Sequence, residues 1–420
     1  MIRAYKFLLR PTARQEASLR AMLAAHCSLY NGALQERRDA YAHSSQTKIK
    51  YGDQSAQLKD IRTFDPERQG RWSFSSQQST LRRLNVAFVA FFKRAQKRKA
   101  ALARGVPKDL APKAGYPRFK GVGHFDTVTF PKDGDGCRWD SPPPHDTQTR
   151  VRLQGVGHVR VHQHRPVRGR VKTVSVKREG RKWYMIITCD QVPAEPLPAT
   201  GANVGIDMGI THFLTTSQGE HVPNPRFLRA SAEELAAAQR VLETFPKKTR
   251  RRTKKHRAAA GRVAKIHAKI RRQRLDHHHK RALDLVRDND VIGHEALNTA
   301  GMTKTPAPKP DPDQDGAFLP NGAAAKAGLN KSILDASWGL FLGILANKAE
   351  SAGRRVIPVD ARNTSRTCPP SAGGCGHVAK ENRVTQTKFE CVKCGFVENA
   401  DTVGALNVEH RAGLALCAEA

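Results

Sequence analysis

The sequence predicts a multidomain α/β chain: a small β-barrel or sheet interrupted by a helical lobe, then a mixed α/β layer with a cysteine-bearing insert near its end. Three observations predict it. Apolar residues recur at helical spacing between Leu19 and Leu34 and again between Leu81 and Phe92, while short β-like runs lie before and after that stretch. From residue 203 onward, short apolar strands alternate with helical stretches, an order that suits a mixed layer better than a bundle. Four of the eight cysteines fall between Cys368 and Cys394. A length of 420 residues suggests about three domain-sized units, enough to bury a core without staples.

In order, Ile2 to Leu9 reads as a strand, and Thr12 with Gln15 forms a capping-box signature that starts a helix after Pro11. A second helix spans about 76–104, with Leu81, Leu84, Phe88, Phe91 and Phe92 on one face and Arg82, Arg83, Lys93, Arg94, Lys97 and Arg98 on the rest. Short strands follow at 126–130 and 150–161. A hairpin runs from Val171 to Lys177 and back from Lys182 to Cys189 about Glu179-Gly180. Pro193 to Thr200 is a Pro/Ala linker. Strands at 203–208 and 213–217, with a short piece near His221, precede helices at 231–243 and 256–287 and a strand from Asp290 to Glu295. Residues 303–327 are rich in Pro, Asp, Gly and Ala without periodicity and read as a mobile loop. Ile333 to Ala352 reads as one helix with Ile333, Leu334, Trp338, Phe341, Ile344 and Leu345 on a shared face. Arg355 to Val359 is a strand, and a last helix follows Asp401.

Seventy-two Lys and Arg against 38 Asp and Glu give a formal charge of +34. Such an excess points to a polyanionic partner, with nucleic acid ahead of an anionic membrane surface. No run of 18 apolar residues exists, so no spanning helix is expected, and the basic N-terminus lacks the apolar core of a secretory signal.

Three acids stand out within this basic chain. Asp207 ends an apolar strand in Gly205-Ile206-Asp207-Met208-Gly209, Glu295 ends another in Val291-Ile292-Gly293-His294-Glu295, and Asp401 opens the final helix. Singly, each reads equally well as an edge acid or, for Asp401, as an N-cap. Together, three carboxylates from two strands and a helix can hold two Mg²⁺ ions for phosphodiester hydrolysis, the layout of RNase H-like nucleases. Cys368, Cys375, Cys391 and Cys394 form two knuckles suited to a tetrahedral structural Zn²⁺, while Cys27, Cys137, Cys189 and Cys417 read as ordinary thiols. Residues 247–274 carry Lys247, Lys248, Arg250, Arg251, Arg252, Lys254, Lys255, Arg257, Arg262, Lys265, Lys269, Arg271, Arg272 and Arg274 without one acid, a run expected to contact phosphates. His277-His278-His279 reads as part of the same polyanion surface, since adjacent histidines on a helix point apart.

Several strings stand in a specific order: Tyr5-Lys6-Phe7-Leu8-Leu9-Arg10-Pro11-Thr12, Tyr30-Asn31-Gly32-Ala33-Leu34, Phe91-Phe92-Lys93-Arg94, Gly115-Tyr116-Pro117-Arg118-Phe119-Lys120, the segments around Asp207 and Glu295, Thr364-Ser365-Arg366-Thr367-Cys368, Cys391-Val392-Lys393-Cys394-Gly395, and Asp401 to Asn407. In this order they resemble TnpB, a transposon-encoded family related to miniature type V CRISPR effectors, over nearly the whole chain. The resemblance implies a RuvC-like nuclease with Asp207, Glu295 and Asp401 as catalytic acids and Mg²⁺ ligands. It implies a wedge-like barrel from residues 1–10 and 119–195, a helical recognition lobe from 11–118, and a nuclease core over 201–365. A zinc ribbon that binds target nucleic acid would occupy 366–397, before a last-motif helix at 398–415. It further implies a guide RNA from the element's flank, double-stranded DNA cut beside a short adjacent motif, no membrane partner, and a cytoplasmic, nucleoid-associated prokaryotic setting. The family's third motif runs Asp-x-Asn-Ala-Ala-x-Asn; here Val403 replaces the first Asn and Gly404 weakens the helix. The first cysteine pair is also wider than the family's two-residue gap. A non-cleaving RNA-guided repressor and a conventional transposase stand as alternatives, and a miniature CRISPR effector is a near neighbour.

Overall fold

The computed structural model describes residues 1–108, 110–121, 123–140, 149–246, 253–314 and 316–419, with side chains through residue 413 apart from Asp140. The chain divides into two compact units, Met1–Pro193 and Ala194–Ala420.

In the first unit β1 (Arg3–Arg10) leads into α1 (Ala13–Ala42), whose start carries the expected capping box between Thr12 and Gln15. Then come α2 (Tyr51–Ala56), α3 (Leu58–Phe64) and α4 (Phe74–Ala103). Six strands follow: β2 (Thr127–Phe130), β3 (Cys137–Asp140), β4 (Arg150–Leu153), β5 (Gly157–His162), β6 (Arg170–Glu179) and β7 (Lys182–Asp190). All seven pair antiparallel in the order β2-β6-β7-β1-β5-β4-β3. The N-terminal strand is thus central, although the helices separate it from its neighbours in sequence. Phe7, Val174 and Ile187 of the sheet share one core with Leu19, Leu34, Leu81 and Leu84 of the helices. The expected lobe and sheet are therefore one unit, because the helices bury their apolar faces on the strands. Phe92, expected on the buried face of α4, is 57% exposed.

The second unit holds β8 (Asn203–Asp207), β9 (His212–Thr216), β10 (His221–Pro223), α5 (Phe227–Ala230), α6 (Ala232–Glu243), α7 (Lys254–Asp288) and β11 (Val291–Glu295). It continues through α8 (Thr299–Met302), β12 (Lys309–Pro310), β13 (Phe318–Leu319), α9 (Ala323–Ala336), α10 (Trp338–Ala352) and β14 (Arg355–Val359). It closes with β15 (Lys388–Glu390), β16 (Val397–Asn399) and α11 (Ala400–Glu419). Five strands form a mixed sheet in the order β10-β9-β8-β11-β14. β8, β11 and β14 run parallel, and β9 is antiparallel to β8. Alternation sends Val204, Ile206 and Ile292 into a core with Ala282, Val286, Phe341 and Leu345 of α7 and α10.

Two expectations for this unit need correction. Residues 303–327 are not one structureless loop: β12 and β13 pair, and α9 starts at Ala323. The expected single helix over Ile333 to Ala352 is two, broken at Ser337, whose φ of 55° lies in the left-handed region. The break resets the helical phase, so Leu334 is exposed while Trp338, Phe341, Leu345 and Ala349 of α10 are buried. Asp290, read only as the start of a strand, clamps the entry to the sheet. It accepts hydrogen bonds from the Thr200 and Gly201 amides and pairs with buried Arg354. Among the described residues, no helix is long and apolar enough to cross a membrane.

Candidate functional site

The positions of Asp207 and Glu295 follow from strand periodicity. β8 and β11 pair in parallel with Gly293 opposite Gly205 and His294 opposite Ile206, so Glu295 falls beside Asp207 one step on. Each acid shares a face with the glycine two residues before it. Those glycines admit α11. A Cβ on Gly205 would lie 2.1 Å from the Ala405 carbonyl oxygen, and one on Gly293 would lie 2.9 Å from the Ala412 Cβ. The helix can therefore lie directly on the two strands and bring its first turn to their acidic ends. Asp401 is in that turn, but it is not the cap: Asn399 Oδ1 accepts the amides of Asp401 and Thr402 at 2.9 and 3.4 Å. Its carboxylate is thereby left free to face the strands.

The electrostatics record the convergence. Burial, then the charges of Glu295 and Asp401, push the Asp207 carboxyl up to about 7, and Arg383 pulls the other way. Burial also raises Glu295, opposed by a hydrogen bond that the Thr364 hydroxyl donates to Oε1 and by the charges of Arg411 and Arg383. Three acids gathered so that one resists ionising form a site short of positive charge, and carboxylate oxygens are the kind of donor that Mg²⁺ takes.

Four further residues complete the site. Arg383 Nη2 lies 3.7 Å from Asp401 Oδ1, and His212 Nδ1 lies 3.9 Å from Asp401 Oδ2. Thr364 anchors Glu295. Buried Asn407 donates to the carbonyls of Thr364 and Thr367, both at 2.8 Å, tying that turn to α11. Thr364 and Asn407 lie within the strings that carry the family resemblance, yet nothing in those strings assigns either a role. Arg383 carries no sequence signal, because only the fold brings it back to Asp401.

The four clustered cysteines converge as expected. All four Sγ atoms lie within 4.8 Å of one another, with Cys368–Cys394 and Cys375–Cys391 both at 3.6 Å. Zinc–sulfur bonds of about 2.3 Å in a tetrahedron require sulfur spacings of about 3.8 Å, so the set fits Zn²⁺ despite the wide first knuckle. Gly374 makes that width workable, since a Cβ there would lie 2.6 Å from Cys368 Sγ. The two departures in the third motif also find reasons. Val403 is fully buried with Cys368, Phe389, Cys391 and Ala400, joining the cysteine cluster to α11. Gly404 makes room for Asp207, whose Cγ would lie 3.3 Å from a Cβ at 404.

The described part of the basic run lies on the first half of α7. Lys254, Lys255, Arg257, Arg262, Lys265, Lys269, Arg271 and Arg272 are exposed on α7, with no ion pair among the described residues. Lys247, Lys248, Arg250, Arg251 and Arg252 lie outside the described residues, as does the Cys417 side chain. Arg274 is a correction: it pairs with Asp335 at 2.6 Å, where the acid also accepts the Leu228 amide, and is part of the fold. The histidine run is another. His278 is buried, stacks on Phe213 at 5.2 Å and hydrogen-bonds the Ala336 carbonyl, and His277 meets Phe213 edge-on at 4.9 Å. Only His279 is exposed, because this turn of α7 faces the sheet core.

Comparison with known proteins agrees with the order of motifs. A family described as "Probable transposase" matches residues 174–305, and one described as "Cas12f1-like, TNB domain" matches residues 338–408. An Escherichia coli (strain K12) protein named "Putative RNA-guided DNA endonuclease InsQ" is 30% identical over 97% of this chain and 91% of its own length. The chain belongs to the TnpB family. A Streptomyces pristinaespiralis member of like description is also 30% identical, over 99% of this chain and 90% of its own. Residues 1–46 match a family described as "Helix-turn-helix domain", but here they form β1 and one unbroken helix up to Ala42. A solved structure of CasPhi-2 (Cas12j) bound to crRNA aligns over 98% of both chains at 12% identity and a TM-score of 0.46, too loose a likeness to carry weight beside the TnpB relatives.

Proposed function

We propose that this TnpB-family protein is an RNA-guided DNA endonuclease whose cleavage centre is Asp207, Glu295 and Asp401 in an RNase H-like, RuvC-type domain. The observation that carries the reading is the convergence of these three acids, strong enough that burial and mutual repulsion raise Asp207 to about 7. The five-stranded order with one antiparallel strand beside β8 supports the RNase H-like assignment. The names of the two 30%-identical relatives support guided DNA cleavage. Guide pairing would read the target sequence, and the protein would read a short adjacent motif and the duplex shape.

The chain's own groups account for how the centre is held. Mg²⁺ ions at the three carboxylates would supply an activated water and stabilise charge on the leaving oxygen. Asp207 would give up its proton where such positive charge is bound. Thr364 holds one oxygen of Glu295, and Arg383 keeps a cation beside Asp401 where phosphate must approach. The cysteine set would hold Zn²⁺ and so fix the hairpin that ends in Asn399, where α11 begins. The exposed cations of α7 offer phosphate contacts, in keeping with action on nucleic acid in a prokaryotic cytoplasm.

The test is cleavage of a DNA plasmid by protein co-expressed with its native flanking DNA, so that any guide RNA co-purifies. A defined flank-derived RNA and Mg²⁺-dependent cuts, lost in Asp207→Ala and Glu295→Ala while RNA binding persists, are expected. Normal cutting by Asp207→Ala would overturn the site. Joined donor–target products would favour a conventional transposase. The non-cleaving alternative rests on Val403, and that side chain has a packing role outside the carboxylates.

A further inference from the structure

We infer that His212 is a positioning residue for the third carboxylate, its Nδ1–H fixing the orientation of Asp401. The inference rests on the reading of the carboxylate centre given above.

His212 opens β9, directly after the tight turn that follows Asp207. That turn is set by Gly209, whose amide donates to the Phe213 carbonyl and whose position has no room for a Cβ, since one would lie 2.8 Å from the His212 carbonyl oxygen. The imidazole is held from behind. It lies against His221 with ring centroids 4.5 Å apart and planes 30° apart, and His221 Nδ1 is hydrogen-bonded to Thr215 Oγ1 at 3.0 Å. With the ring so fixed, Nδ1 is buried and has no hydrogen-bond partner. A buried polar atom left unpaired is costly, so a nitrogen held in this state calls for a partner, and in the Nδ1–H tautomer that partner is an acceptor. Asp401 Oδ2 faces it at 3.9 Å, a small side-chain adjustment from a hydrogen bond.

The carboxylate also selects the tautomer, because a negative oxygen favours a proton on the facing nitrogen. Asp401 needs such a partner. Asn399 has taken over the capping role, and Arg383 faces only the other oxygen, at 3.7 Å. Partners of this kind, one step removed from a metal ion, set how well a carboxylate is presented.

The experiment is Mn²⁺ binding by calorimetry to the full zinc-loaded chain at constant pH, with thermal melts in parallel, for wild type and the His212→Ala, His212→Phe and His212→Asn variants. Phe keeps the ring against His221 but loses the donor. Asn places an amide N–H where Nδ1 stood. Expected is an affinity about tenfold weaker for Ala and Phe, with Asn close to wild type and the Phe melting point unchanged. Wild-type affinity in His212→Phe, or an Asn variant as weak as Ala, would overturn the inference. Should His212→Ala fail to fold, the Phe and Asn pair decides. Asp207→Ala runs as the control: if it leaves Mn²⁺ binding intact, the reading of the centre fails and the inference goes with it, whereas loss there with no His212 effect rejects the inference alone.

Discussion

Asp207 is a carboxylate held in its folded place against its own charge. Its ordinary value is 3.8 and its folded value about 7, so the folded chain binds the extra proton between those limits. Without a divalent cation, stability is therefore greatest below pH 4 as far as this group is concerned, and is lost as pH rises through 7. Asp207→Asn removes that loss. Its stability should match wild type near pH 4 and exceed it at pH 8, by on the order of a few kcal/mol at most, with the melting point moving the same way. Melts of both proteins at both pH values in chelator check this, and a variant with no advantage over wild type at pH 8 would contradict it. Cleavage moves the opposite way: loss of the carboxylate should cost about a hundredfold or more in rate. Arg274 makes a contrasting residue-level case. Arg274→Gln breaks a largely buried pair with Asp335 and should lower the melting point while leaving the salt dependence of nucleic-acid binding unchanged.

At the scale of elements, the centre depends on how closely α11 lies on β8 and β11. Gly205→Ala puts a methyl into the helix backbone, 2.1 Å from the Ala405 carbonyl oxygen, where nothing flexible can yield. The expected loss is about 3 kcal/mol, or roughly 6–12 °C in melting midpoint for a unit of this size, with cleavage falling further as Asp401 is pushed off. A Gly205→Ala chain that melts and cuts like wild type would show that the helix is not held so tightly. The second element is the hairpin of β15 and β16, whose turn carries Cys391 and Cys394 and whose end leads into α11. Val403 packs against the same cysteine cluster from the helix. Stripping zinc, or Cys391→Ser, should weaken Mn²⁺ binding at the carboxylates although no cysteine lies among them; zinc content and calorimetry on one sample test this coupling.

At the scale of the whole molecule, part of the charge of +34 is gathered on α7. The N-terminal half of α7 packs on α6 through Leu235, Ile266 and Ile270, a cluster separate from the sheet core, and leaves eight cations exposed with no ion pair among the described residues. Replacing Lys254, Lys255, Arg257 and Arg262 with Gln should weaken nucleic-acid binding regardless of sequence. The slope of log affinity against log salt should fall by about 0.9 for each duplex phosphate that the variant no longer neutralises, or about 0.7 for a single strand. Binding measured between low and moderate salt reads that slope directly, and an unchanged slope would remove α7 from the interface.

Much of this was legible in residue order alone. Strand alternation marked β1, β8 and β11, the Thr12 capping box marked α1, and acids ending apolar strands marked Asp207 and Glu295, because local preferences and period-2 faces are written residue by residue. Cysteine spacing marked the metal set for the same reason. The break at Ser337, the burial of His278 and the pairing of Arg274 with Asp335 were not legible, since each depends on what a neighbouring element presents. Nor could sequence explain Val403 and Gly404, which looked like departures and instead seat the cysteine cluster and admit Asp207. The sequence by itself determined the candidate acids and the cysteine set, and most of the exposed cations of α7. Only the tertiary structure decided that Arg383, Thr364 and His212 would stand around them, because those contacts join segments far apart in the chain or turned back on themselves, and their energies exist only once the helix lies on the sheet.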